Sequence, residues 1–410
     1  MPMERVDRDQ ALSNSEFHRR LREWLENTNE AMIGPEDVPG ATSWIHVREG
    51  SAVFALNANT KRYAIEGYLQ KVSVHGDDLV WTVGKTLRDS LLSSIQARKA
   101  HQRSLGSLKP MLLASTTLAV WMVDPESGDA WQIDAGRGAY YGISFDTERI
   151  YIACRQVAYG GAKEPQDNAI LCLDRKLRLL EVLRAPQPIR DVHQILCDGG
   201  TLFVCSTFDD AVMEYAVASR TWNVWRPFND DATTHDVHHI NSVFVKGDLI
   251  MLAGSQPKGW FARFDRGHRP LENGKHLMGS MSHNVWLEDG EVSVCSSHEG
   301  ALVSTSGTRQ LIHPGAWLRG VCQVGPQRYV GISQELQRGR RSGSDCSIVA
   351  FSGEGRVDRY YTILGSGTLN DLRTIGMADT THNGIAFELE RGTIDSRFQK
   401  YETRNTLIDL

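Results

Sequence analysis

The chain of 410 residues is 41% hydrophobic and 23% charged, enough apolar material for a large core and too much for a disordered chain. Its 45 Lys and Arg against 50 Asp and Glu give a formal net charge of −5, which argues against a general nucleic-acid-binding surface. No apolar run approaches the roughly 18 residues of a membrane span, the charged first thirty residues lack a signal-peptide centre, and the seven cysteines form no C-x-x-C pair, so a cytoplasmic protein with reduced, buried thiols is expected.

Residues 1–109 read as an accessory region. Its first element is a helix over 15–32, where Phe17, Leu21, Trp24 and Leu25 make one apolar stripe. Ser13 and Glu16 have capping-box spacing, and Leu12 is placed to pack on Phe17 as a staple. Such a helix packs on the body of the protein or docks a partner protein. Strand-like segments follow at 42–56 and 70–83, and a second helix is expected over 84–105.

From residue 110 onward the chain repeats. A seven-residue string recurs as IYIACRQ, TLFVCST, IMLAGSQ, EVSVCSS and RYVGISQ, aligning Cys154, Cys205, Gly254, Cys295 and Ile332 in one column. Each copy is preceded about a dozen residues earlier by a second strand candidate: YYGISF, DVHQIL, HHINSV, MSHNVW and WLRGVC. A hairpin follows each string, most clearly VMEYAV and TWNVW. Four short antiparallel strands per unit of roughly 40–50 residues is the pattern of a propeller blade, because one such sheet cannot cover both of its faces and radial stacking can. A sixth copy at 112–136 has no inner strand before it, since that segment reads as helix. The C-terminal NDLRTIGM, 370–377, supplies the strand and closes the ring, which removes open sheet edges. The expected fold is therefore all-β: a six-bladed β-propeller over 110–377, closed by strands from both ends, with accessory N-terminal helices and a C-terminal extension, 378–410, packed on it. The segments 42–56, 70–83 and 384–390 find no place in this scheme.

The starts of the inner strands are polar, and a propeller brings them together at one end of its axis. In chain order they read Tyr141-Gly142, His193-Gln194, His239-Ile240-Asn241, His283-Asn284, Arg319-Gly320 and Asn370-Asp371-Leu372-Arg373. Neutral imidazoles on separate strands are good ligands for zinc, iron or manganese, which makes His193, His239 and His283 a candidate metal triad. The alternative is a polar pore without metal. Strand spacing puts Ile240 rather than His239 in the column of His193 and His283; His235, His238 and His382 are spare candidates. Asp191 and Asp236 are placed to orient ligands or to cap turns. Arg319 and Arg373 are permanent cations suited to a carboxylate, phosphate or developing oxyanion, with Asp371 either catalytic or paired to one of them. Tyr141 would hydrogen-bond substrate or transfer a proton, and Gln194, Asn241 and Asn284 are candidate substrate contacts. The loop of Arg338, Arg340 and Arg341 is a solvated segment or an anion clamp. With no G-x-S-x-G, P-loop or dinucleotide fingerprint, neither a serine hydrolase nor a nucleotide cofactor is supported.

Through DVHQI, HHINSV following Trp225-Arg226-Pro227, SHNVWLEDG, WLRGVCQV and NDLR, the stretch of about 110–377 resembles a group of bacterial propeller proteins of unknown function. More distantly, a pore of His, Arg and Tyr is similar to that of NHL-type and gluconolactonase-like propellers, including streptogramin lyase and peptidylglycine-amidating lyase. That resemblance implies metal-assisted elimination or ring opening. Two functions stand side by side. One is an enzyme, a lyase, isomerase or hydrolase, acting at the axial pore on a small polar or anionic molecule with a divalent metal. The other is a non-catalytic propeller that binds a protein or small ligand as a scaffold. No nucleic-acid or membrane partner is expected.

Overall fold

The structure is a computed structural model that describes residues 44–46, 69–75, 78–83, 110–155, 168–228, 235–335, 344–351, 357–390, 398–402 and 404–407. The helices expected over 15–32 and 84–105 and the loop of Arg338, Arg340 and Arg341 lie outside these residues. Among the described residues there are six antiparallel sheets of four or five strands, with a separate three-stranded sheet formed by Trp44–His46, Asp78–Val83 and Leu69–His75. No helix among them is long and apolar enough to cross a membrane.

The six sheets are the blades of a β-propeller. Numbered in chain order, their inner strands are Ala139–Phe145, Val192–Asp198, Ile240–Lys246, Ser282–Glu288, Ala316–Val324 and Leu369–Ile375. Each touches the next in a closed cycle, the last meeting the first. In blade one every residue of the inner strand and of its neighbour Ile150–Arg155 is buried, because adjoining blades cover both faces and demand apolar side chains on both. The outermost strands are half-solvated: Thr221–Trp225 is buried only at its last residue. All seven cysteines are buried thiols with no disulfide.

The ring closes as the sequence predicts. Leu369–Ile375 pairs with Met111–Thr116 to supply the inner strand of the blade that begins at 111. The C-terminal segment then adds outer strands on both sides of this seam, Gln399–Glu402 on Asp129–Ala135 and Arg404–Leu407 on Val357–Ile363. Residues 384–390, which had no place in the blade scheme, form no strand; Phe387 and Leu389 pack in an apolar cluster with Met111, Phe145 and Ile375.

Every inner strand carries a register shift in its first half, between Tyr140 and Ile143, Val192 and Ile195, Ile240 and Ser242, His283 and Trp286, Leu318 and Val321, and Leu369 and Asp371. Such a bulge puts an extra residue in one strand and re-aims the side chains around it. The pairs Asp198–Thr201, Lys246–Leu249 and Glu288–Glu291 close two-residue turns, so counting back from the turns gives the true equivalences. Ser206, Gly254 and Ser296 then match, and Asn241 stands in the column of His193 and His283. This corrects the expectation for Ile240: aligning the blades on their apolar strings shifted blade three by one residue. His239 instead matches Asp191 and Met281, and the three share a left-handed φ of 53°, 53° and 54°.

The far end of the axis is covered by residues 379–384. Thr381 Oγ1 donates to Val321 O at 3.1 Å on blade five, while Asn383 Nδ2 donates to Phe145 O at 2.7 Å and Cys197 O at 2.9 Å on blades one and two. His382 Nε2 meets Ser144 Oγ at 2.8 Å. The axial site therefore has its mouth at the strand starts.

Two measurements check this architecture. A Cβ at Gly142 would lie 2.7 Å from Gln194 Cα, and one at Gly320 2.6 Å from Leu372 N. Gly320 and Gly290 both have positive φ, 76° and 84°, but a Cβ at Gly290 meets open space. Gly320→Ala should therefore cost about 1–3 kcal/mol more than Gly290→Ala in urea unfolding; equal losses would refute the close approach of blades five and six. Secondly, burial pushes the Asp379 carboxyl from 3.8 up to about 6, against the opposing influence of Arg373 and Thr381. Between those two values the native state holds a proton that the unfolded chain releases. Stability conferred by the neutral acid is complete below about pH 4 and is lost as pH rises to about 6. Relative to Asp379→Asn, the wild type should lose on the order of 2–3 kcal/mol across that window and then stay level; a flat difference would contradict it.

Candidate functional site

At the strand starts the six bulges place Tyr141, His193, Asn241, His283, Arg319 and Asn370 around one axial cavity, completed by Gly142, Gln194, Ser242 and Asn284 from the following position. The enclosed space is about 10 Å³, the room of a single water centre. Among the described residues that line it, Arg319 carries a permanent charge and none is a carboxylate.

The residues just after the ring hold it together. A bulge leaves backbone N–H groups outside the ladder, and here the preceding blade caps them. Gln194 Oε1 accepts from Val243 N at 3.2 Å, Ser242 Oγ from Asn284 N at 2.7 Å, Asn284 Oδ1 from Gly320 N at 2.8 Å and Asp371 Oδ2 from Ile143 N at 2.9 Å. Asp371 also takes Asn284 Nδ2 at 3.1 Å and Leu372 N at 3.0 Å and pairs with Arg373 at 3.0 Å. Arg373 is completely buried and spends its guanidinium on the carbonyls of Ile143, Val321 and Leu372. Arg373, expected as a catalytic cation, and Asp371, expected either as catalytic or as paired with an arginine, therefore lie outside the cavity lining as a blade-to-blade clamp. Gln194, Asn241 and Asn284 do line it, Gln194 with its Oε1 committed to Val243 N and the two asparagines with both ends of the amide committed: Asn241 Nδ2 donates to Ser282 O at 2.9 Å and its Oδ1 accepts from Ser242 Oγ at 2.8 Å.

His193 and His283 sit in matching surroundings. His193 Nδ1 is 2.9 Å from Asp191 O and 2.8 Å from Thr207 Oγ1; His283 Nδ1 is 2.8 Å from Met281 O and 2.9 Å from Ser297 Oγ. Their rings stack with centroids 6.1 Å apart. Burial, reinforced by Arg155 and Arg319 and then by the other two imidazoles, holds His193 well below the usual histidine range, so it is neutral at physiological pH. His239 flanks them, its ring 5.5 Å from His193 and its Nδ1 2.6 Å from Asp236 Oδ1. It stands two residues before the ring and is not part of the cavity lining. Among the described residues, no three His, Cys, Asp or Glu side chains are grouped so as to hold a metal ion. The spare histidines are elsewhere: His235 stacks on Phe208, His238 packs against Phe228, and His382 is at the far end of the axis.

Sequence reasoning missed Arg155. It is buried, ion-paired with Asp191 and placed over the Tyr141 ring at 4.3 Å. Its position, immediately after the second strand's match to Ser206, holds Thr207, Ser255, Ser297, Ser333 and Thr117 in the other blades. An arginine in a column of hydroxyls is the signal that was there to be read.

No family model and no curated protein matches this chain. Among solved structures it is similar to a chain in a nidogen/laminin complex and to a protein of unknown function from Bacteroides caccae; each has 10% identity and a TM-score of 0.48, over 65% of this chain and 98% of the other. The propeller assignment rests on the closed ring of blades itself.

The Arg155–Asp191 pair gives a direct test of how the site is built. Asp191→Asn strips a buried guanidinium of its carboxylate and should cost about 3–5 kcal/mol. Adding Arg155→Met should restore most of that loss. A double variant no more stable than the single one would show that the pair does not act as a unit.

Proposed function

We propose that the axial cavity is the functional site and that it takes a small polar anion as the substrate of an enzyme. The observation that carries this reading is the composition of the lining: side chains from all six blades converge on one point, and Arg319 brings a permanent positive charge among them. Arg319 adds a fork of hydrogen-bond donors suited to a carboxylate or phosphate. Beside it the neutral His193 is a proton acceptor at physiological pH, and Tyr141 lines the same cavity. A cation and a neutral base around one point suit proton abstraction next to an anionic group, the first step of a lyase or isomerase reaction. A scaffold role would not require six bulged strands to spend their polar residues on one enclosed point.

Two experiments test the reading. Calorimetric titration with small carboxylates and inorganic phosphate should detect binding that Arg319→Gln weakens about tenfold or more, as expected for the loss of a charge-assisted hydrogen bond. Binding unaffected by Arg319→Gln would sink the proposal. Elemental analysis of the purified protein decides the part played by a metal. Near-stoichiometric zinc, iron or manganese that is lost in the His193→Ala/His283→Ala double variant would assign an ion to these imidazoles. Metal-free protein that binds anions would assign a metal-independent site.

A further inference from the structure

We infer that Thr207 and Ser297 are positioning residues that lock His193 and His283 in the Nδ1–H tautomer, so that the cavity presents two imidazole Nε2 lone pairs to hydrogen-bond donors on its ligand. This rests on the axial cavity being the functional site and adds what its histidines recognise. The argument follows from proton bookkeeping. Thr207 Oγ1 lies 2.7 Å from Ile240 O, and Ser297 Oγ lies 2.6 Å from Leu318 O. A carbonyl only accepts, so each hydroxyl proton goes to that carbonyl in the next blade. Towards the imidazole the same hydroxyl must then act as acceptor. The second neighbour of each Nδ1 is also a carbonyl, Asp191 O at 2.9 Å for His193 and Met281 O at 2.8 Å for His283. With two acceptors facing it, Nδ1 carries the proton in both rings. In a neutral imidazole Nε2 is then the basic nitrogen.

The arrangement is made twice from the same parts. In blades two and four the hydroxyl follows its histidine by fourteen residues and reaches across the seam to the next inner strand. Blade three, between them, carries Asn241 at the ring position and Ser255 at the hydroxyl position. The two lone pairs thus belong to blades two and four, and the permanent cation, Arg319, to blade five. A ligand matched to both has an anionic group for Arg319 and a hydroxyl for the imidazoles, which is the chemistry of a hydroxy acid. An amine in place of the hydroxyl would bring a positive charge beside Arg319 and Arg155, charges that reinforce burial in keeping His193 neutral.

Nitrogen NMR of the intact protein labelled at histidine reads the tautomers directly. At neutral pH both His193 and His283 should show a protonated Nδ1 and an unprotonated Nε2, whereas free imidazole side chains favour the opposite tautomer. A protonated Nε2 on either would overturn the assignment. Thr207→Val, close in shape but without the hydroxyl, should shift the His193 signals towards a mixture of tautomers, while Thr207→Ser should keep the wild-type pattern. His193 signals unchanged in Thr207→Val would show that the hydroxyl does not position the ring. Should Thr207→Val unfold the chain, Ser297→Ala read at His283 gives the same two outcomes. The tautomers are measured without ligand, so their failure is separate from a failure of anion binding: Nδ1–H signals in a protein that ignores carboxylates and phosphate would remove the proposed substrate class and leave the tautomer assignment standing.

Discussion

The propeller depends on how it satisfies the N–H groups that its bulges release. A bulge in each inner strand is what turns polar residues towards the axis, yet it also takes backbone donors out of the ladder in a buried place, where each unmet donor costs about 1–3 kcal/mol. The solution is circular. Gln194 serves blade three, Ser242 serves blade four, Asn284 serves blade five and Asp371 serves blade one. Gly142 and Gly320 stand at the same position where the neighbouring backbone comes too close for any side chain. At these four seams the central hydrogen bonds cross from one blade to the next, which ties the ring into a unit.

This division separates structure from chemistry by one residue. The position after the ring is spent on the seams; at the ring position Asn241 and Asn370 also bond the next blade, at Ser282 O and Tyr140 O, and the ring side chains line the cavity. Asp371 and Arg373 show the consequence. Read as a sequence they are an attractive acid and cation at a pore, but their charges cancel at 3.0 Å and their remaining valences go to Ile143, Val321, Leu372 and Asn284. Arg319, a ring residue, is the cation that lines the cavity. Burial, reinforced by the charges of Arg155 and Arg319, is why His193 is neutral.

Much of this was legible in the chain, and the part that was not has a specific cause. Blade spacing, inner strands and the closure by 370–377 follow from apolar strings and turn residues, which respond to burial and therefore repeat. The ring residues Tyr141, His193, Asn241, His283, Arg319 and Asn370 were all visible as polar breaks in apolar strands. Register was the weak point. IMLAGSQ and TLFVCST align well as apolar strings, but the tight turns Gly199-Gly200 and Gly247-Asp248 set the pairing, and they move blade three by one residue. A slip of one reverses which side chains face the axis, and so Ile240 was read into the column of His193 and His283 where the structure has Asn241. Nor does a sequence say whether an amide or a carboxylate has been used up by a neighbouring blade, which is why Asn284 and Asp371 looked alike.

The same seams tie the site to the body of the protein. The imidazole of His193 is held by Thr207, whose proton is held by Ile240 of the next blade, and His283 is held through Ser297 by Leu318 in the same way. A histidine can change its proton only if this chain changes with it, and that chain includes the backbone of an inner strand. Fixing the donor side of both rings costs the protein adaptability at the cavity, but it removes the need to reorient an imidazole when a ligand arrives. Preorganisation of this kind is worth most where water is scarce. A small cavity beside Arg319, in a ring whose other end is crossed by residues 379–384, is such a place, and the buried polar residues that look expensive in an all-β core are what make it so.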